Sequence, residues 1–111
     1  MDLDKPVVLC EGPFDAAKIM KHYPNVAASF TSGLSVEKCK RLADASEIIT
    51  FYDYGSGGNA ARKRIAEVFK KAAVTHLIPT ESQDDAGNMT DEAIREYLRP
   101  YVKLSQEGIW D

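Results

Sequence analysis

Short uninterrupted apolar runs alternate along this chain with segments whose apolar residues recur every three or four positions. Few folds accept that alternation. Val7-Val8-Leu9-Cys10, after a proline, predicts a first strand. Asp15 to Tyr23 carries Ala16, Ile19, Met20 and Tyr23 at helical spacing, and Pro24-Asn25 stops it. Val26 to Phe30 predicts a second strand and Ser32-Gly33 a turn. Ser35 is placed to cap a helix striped by Val36, Cys39 and Leu42-Ala43, although Lys38 leaves the capping box incomplete. Glu47 to Tyr52, rich in β-branched and aromatic residues, predicts a third strand. Beyond Gly55-Ser56-Gly57-Gly58, a helix from about Asn59 to Ala72 would turn Ala61, Ile65, Val68, Phe69 and Ala72 inward, leaving Arg62, Lys63, Lys70 and Lys71 on its other face. Val74 to Ile78 predicts a fourth strand, ended by Pro79. Thr90 caps a last helix with Ala93, Ile94, Tyr97 and Leu98 inward, stopping near Pro100.

Strands that are apolar throughout are buried on both faces, which is the mark of a parallel sheet. The expected fold class is therefore α/β: a Rossmann-like three-layer domain with a mainly parallel four-stranded sheet flanked by helices. A length of 111 residues without internal repeat or low-complexity linker fits one domain, here 1–111, with a core over about 6–101 and a C-terminal tail over 102–111. Hydrophobic residues at 44% and charged residues at 28% exclude wholesale disorder. No stretch approaches the about 18 apolar residues of a membrane span, and Met1 to Asp4 lacks the regions of a signal peptide. A cytoplasmic chain with no membrane partner is the expectation. Cys10 and Cys39 are too few and too far apart for a metal ribbon or a redox pair, and reduced thiols are expected.

In such sheets chemistry gathers beyond the carboxyl ends of the strands. Here those ends carry Glu11-Gly12, then Ser29 to Gly33, then Asp53 to Gly58, then Glu81-Ser82-Gln83-Asp84-Asp85. A lone acid before a helix usually serves the helix dipole. Acids at three of four ends repel one another unless a cation neutralises them, and a hard, oxygen-ligated ion such as Mg²⁺ fits. The glycine run has two readings, a cradle for phosphate or a tight strand-to-helix turn needing positive φ. It contains no P-loop pattern.

The net charge of −3 excludes a uniformly basic coat for duplex DNA. It also conceals a division. Between residues 38 and 71 eight basic residues face only Asp44, Glu47, Asp53 and Glu67, whereas Arg95 alone offsets six acids between 81 and 96. Arg62, Lys63 and Lys70 on one helix face are candidates for a nucleic-acid backbone, the alternative being an ordinary solvated face. His22 and His76 read as structural, Cys10 has no nucleophile signature, and Trp110 in the tail is a loose aromatic or a partner contact.

Taken together, these residues resemble the Toprim domain of topoisomerases, primases and related nucleases, over about residues 6–101. Val7 to Ala16 is similar to the family's first motif, an apolar strand followed by Glu-Gly-x-x-Asp. Ile48 to Asp53 with Gly58 and Ala61 resembles the second, a strand ending in Asp-x-Asp-x-x-Gly before a helix. Gln83 to Thr90 is similar to the acidic segment of primase-like members. The resemblance implies Glu11 as general acid or base. It implies a Mg²⁺ (or Mn²⁺) site at Asp53, with Asp85, or Asp84 by a register slip, in the third acidic position and Glu11 beside them. Gly55 replaces the second aspartate of Asp-x-Asp, so one metal ligand is missing.

The implied function is Mg-dependent phosphodiester chemistry on DNA or RNA, of primase-type nucleotidyl transfer or nuclease kind, alongside other domains or subunits of a replication or repair enzyme. The alternative is a degenerate module that binds nucleic acid or a replication partner without turnover. A phosphorylated receiver domain fits less well, because strand one ends in Glu11-Gly12 rather than an acidic pair and no fifth strand with a lysine follows.

Overall fold

A computed structural model describes residues 2–29 and 35–105. Four strands, β1 (Val7–Cys10), β2 (Val26–Ala28), β3 (Glu47–Thr50) and β4 (Ala73–His76), alternate with helices α1 (Pro13–Met20), α2 (Val36–Leu42) and α3 (Ser56–Val68). A short 3-10 turn, Ala86–Asn88, precedes the last helix, α4 (Asp91–Leu98). All pairings are parallel and the strand order is β2-β1-β3-β4. Among the described residues no helix is long and apolar enough to cross a membrane.

The period of two along β1 explains the three layers. Val8 and Cys10 point into one cluster with Ala16 and Ile19 of α1 and Ile94 and Leu98 of α4. Val7 and Leu9 point into the other, with Leu42 of α2 and Ile65 of α3. All four β1 side chains are fully buried, each large one contributing roughly 1.5–3 kcal/mol. The sheet is therefore covered on both faces, as continuous apolar strands require.

The boundaries differ from the sequence reading where side chains prefer burial to helical order. α1 ends at Met20 rather than Tyr23: the residue before a proline avoids the helical region, and Tyr23 is buried with its hydroxyl donating to the Pro6 carbonyl. α3 starts at Ser56 rather than about Asn59, because Gly55 at φ 103° turns the chain and its carbonyl accepts from Asn59 N–H. It ends at Val68, where Phe69 leaves helical geometry and buries its ring, so Val68 is exposed rather than inward. The caps at Ser35 and Thr90 form as expected, accepting from the amides of Lys38 and Ala93.

The beginning of the tail is not loose. Val102 and Leu104 pack on the core of α1 and α4, and the amide of Ser105 donates to the His22 carbonyl. Phe30 and the Ser32-Gly33 turn lie outside the described residues, as does Trp110.

Gly58 is where α3 meets the sheet. A Cβ there would come within 1.8 Å of the Asp53 carbonyl oxygen, whereas one at Gly57 would meet nothing within 4 Å. Gly58→Ala should therefore cost about 3 kcal/mol or more through backbone displacement. Gly57→Ala, which lies within the helix, should be neutral or stabilise by up to about 1 kcal/mol. Denaturant unfolding of the two variants reads the contrast directly, and equal losses would contradict it.

Candidate functional site

The chain turns opposite ways from the two central strands: β1 leads into α1 on one face and β3 into α3 on the other. Such a switch point opens a crevice at the carboxyl ends of the two strands. Glu11 follows β1 there and Asp53 follows β3, both half-buried. Register brings them together, since Leu9 lies opposite Thr50 and the Phe51 amide still donates to the Leu9 carbonyl.

A buried network ties the same strand ends. Tyr52 donates to Ser29 Oγ at 2.8 Å, and both the amide and the hydroxyl of Ser29 donate to the Cys10 carbonyl. Burial raises the Tyr52 hydroxyl to about 12, so it acts as a donor and remains neutral.

Four carboxylates share the crevice. Burial and then the charges of Glu11, Asp85 and Asp15, together with a hydrogen bond to Glu11, raise the Asp53 carboxyl to about 7. Asp15, raised chiefly by its own burial, accepts from the Gly87 amide at 2.7 Å. Asp85 caps the 3-10 turn by accepting from Asn88 N–H at 2.9 Å. Asp84 is exposed, adopts φ 63°, and contributes its carbonyl to the Tyr54 amide at 2.7 Å. Asp85, not Asp84, thus adds its charge to the field at Asp53. Cys10 is held as a thiol, raised to about 12 by burial and by Asp15 and Asp53, consistent with its lack of a nucleophile signature.

Asp15 is the site residue that the sequence reading left without a role. Its signal was present: it is the aspartate of Glu-Gly-x-x-Asp, in the first turn of α1. Its use depends on Gly87, which is 72 residues distant along the chain. Lys18, one turn further along α1, donates to the carbonyls of Gly87 and Met89 and holds the same segment in place.

Arg62 requires correction as a backbone-binding candidate. It is only 5% exposed and lies between Gly58 and Ile65 on the inward face of α3, neighbours at four and three residues. Its guanidinium donates to the carbonyls of Tyr52 and Asp53, at 3.3 and 3.1 Å, and to Asn59 Oδ1 at 2.6 Å. It positions the backbone that presents Asp53. Lys63 and Lys70 are exposed as expected. His22, buried and bonded to Asp91 and Arg95, and His76, bonded to Thr50, lie in structural contacts.

The donor set is hard and oxygen-only, which suits Mg²⁺. Among the described residues, however, no three His, Cys, Asp or Glu side chains form a group able to hold an ion. The pair Glu11 and Asp53 would hold such an ion, since Mg²⁺ commonly takes one or two carboxylates and keeps its waters.

The Toprim domain family model matches residues 6–83. No curated protein sequence matches the chain. Among solved structures it is similar to the Aquifex aeolicus primase (zinc-binding and RNA polymerase domains), with TM-score 0.72 and 19% identity over 87% of this chain and 26% of that one. It is also similar to the primase fragment of the bacteriophage T7 primase-helicase protein, with TM-score 0.65 and 19% identity over 89% of this chain and 43% of that one. The chain thus spans under half of each, and at this identity the likeness shows the fold.

The raised Asp53 carboxyl has a consequence for stability. Its value moves from 3.8 to about 7 on folding, so the folded chain holds a proton that the unfolded chain releases. That contribution is full below the unfolded value and is lost as pH rises through about 7, and Asp15 shifts in the same direction. In EDTA, the Tm of the native chain should fall relative to that of Asp53→Asn between about pH 4 and pH 7. Parallel thermal-unfolding profiles would contradict this.

Proposed function

Since the chain belongs to the Toprim domain family, we propose that it takes part in Mg-dependent phosphodiester chemistry on nucleic acid, as primase-type nucleotidyl transfer or as a nuclease. The observation that carries the proposal is the meeting of Glu11 and Asp53 at the switch point with Asp15 and Asp85 nearby, where burial first and neighbouring charge second raise the Asp53 carboxyl to about 7. Mutual repulsion of this kind costs stability and persists where a bound cation and a reaction make use of it.

In this reading Glu11 and Asp53 would hold Mg²⁺ or Mn²⁺, which when bound supplies polarisation of a phosphoryl oxygen and charge neutralisation. Glu11, half-buried beside Asp53, gives or takes the proton at the reacting oxygen. Arg62 keeps the Asp53 backbone in place through its two carbonyl contacts. Asp15 anchors the 85–88 segment, so that Asp85 faces the same crevice. The exposed Lys63 and Lys70 are offered as phosphate contacts. Residues 1–111 act as one domain, and the primase likeness points to nucleic acid and to other domains or subunits of a replication or repair enzyme as partners.

One observation favours a second reading, a module that binds without turnover. Gly55 stands at the second position of the Asp-x-Asp pattern, at φ 103°, and supplies no carboxylate.

Nuclease and primer-synthesis assays across a Mg²⁺ titration separate the two. Catalysis predicts that Glu11→Gln lowers turnover by about 10²-fold or more, and that Asp53→Asn raises the Mg²⁺ concentration required. Nucleic-acid binding that persists in EDTA and in Asp53→Asn, with no turnover by any form, would leave only the binding module.

A further inference from the structure

Phe14 is the second residue of α1, immediately before Asp15. Asp15 and Ala16 are buried, yet the Phe14 ring is 84% exposed and belongs to neither core cluster. It walls a groove of about 280 Å³ with Ala17, Lys18, Lys21 and Gly87. Gly87 is the residue whose amide is bonded to the Asp15 carboxylate, so one residue borders both the groove and the acidic cluster. A second exposed aromatic, Tyr54, follows Asp53 directly and is 46% exposed, its amide pinned to the Asp84 carbonyl. The segment after β1 therefore presents Glu11 and Asp15 to the crevice and the Phe14 ring to solvent, and the segment after β3 presents Asp53 to the crevice and the Tyr54 ring to solvent.

Charge alone gives a nucleic acid little reason to approach this edge. Glu11, Asp15, Asp53 and Asp85 crowd it, Lys18 is engaged with the Gly87 and Met89 carbonyls, and Lys21 pairs with Asp91 at 3.2 Å. The face of a nucleobase carries no net charge and stacks on an aromatic ring whatever the base. A duplex hides those faces, whereas a single strand offers them.

We infer that Phe14, with Tyr54 as a second platform, stacks unpaired bases of a single-stranded nucleic acid beside the carboxylate crevice. The inference rests on the nucleic-acid reading above and adds the strandedness of the substrate and the residues that grip it. Because the Phe14 ring is outside the core, its removal should leave the fold intact.

The test is fluorescence anisotropy of the full chain in EDTA, with a labelled oligothymidine and a matched strand of abasic sites. Phe14→Ala should weaken oligothymidine binding by about tenfold, leave abasic-strand binding unchanged, and leave Tm unchanged. Phe14→Trp should restore the affinity, and Tyr54→Ala should show a loss in the same sense. If Phe14→Ala binds oligothymidine as the native chain does, or loses the abasic strand equally, the stacking role is overturned while the nucleic-acid reading stands. If the native chain binds neither strand in EDTA, nor when Mg²⁺ replaces the EDTA, both fall. Self-association of the native chain that Phe14→Ala abolishes in sedimentation would assign the ring to an interface between copies instead, and would also overturn the inference.

Discussion

The crowding of like charge at the carboxyl ends of β1 and β3 is the constraint around which the rest of this molecule is arranged. Parallel pairing places Glu11 and Asp53 side by side, and burial denies them the water that would screen them. The surroundings answer with backbone dipoles and one buried cation. The Gly87 amide reaches Asp15, the Asn88 amide reaches Asp85, and Arg62 grips the carbonyls of Tyr52 and Asp53. Even with these contacts the Asp53 carboxyl is raised to about 7, by burial first and by its acidic neighbours second.

The scaffold that maintains this crowding is rigid for identifiable reasons. β1 is buried on both faces and carries one residue set into each core cluster, so it cannot slip in register without reversing both. Gly58 lets α3 come closer to the Asp53 carbonyl than any side chain would permit. The Tyr52–Ser29–Cys10 network closes the strand ends beneath the crevice. A site built on strand ends braced in this way keeps its geometry while charge or ligand changes above it.

Much of the arrangement could be read without coordinates. Four apolar runs separated by helical stripes led to the parallel sheet, and Glu11 and Asp53 stood out as acids at strand ends. The errors were of one kind. Arg62 reads as a solvated base among Lys63 and Arg64, yet it is the one whose helical position points inward, toward carbonyls that a sequence does not display. Asp84 and Asp85 are indistinguishable by type, and the fold separates them: Asp84, exposed at φ 63°, gives its carbonyl to the Tyr54 amide, while Asp85 adds its charge at Asp53. Asp15 acquires its partner across 72 residues.

By itself the sequence determined the layers, the order of the elements and the two acids nearest the switch point, because burial pattern and strand-end position are local properties of the chain. Only the tertiary structure decided strand order, the inward turn of Arg62, the choice of Asp85 over Asp84, and the separation of Phe14 from the core. Those outcomes depend on where distant backbone groups come to rest, and hydrogen bonds and mutual repulsion act through space rather than along the chain.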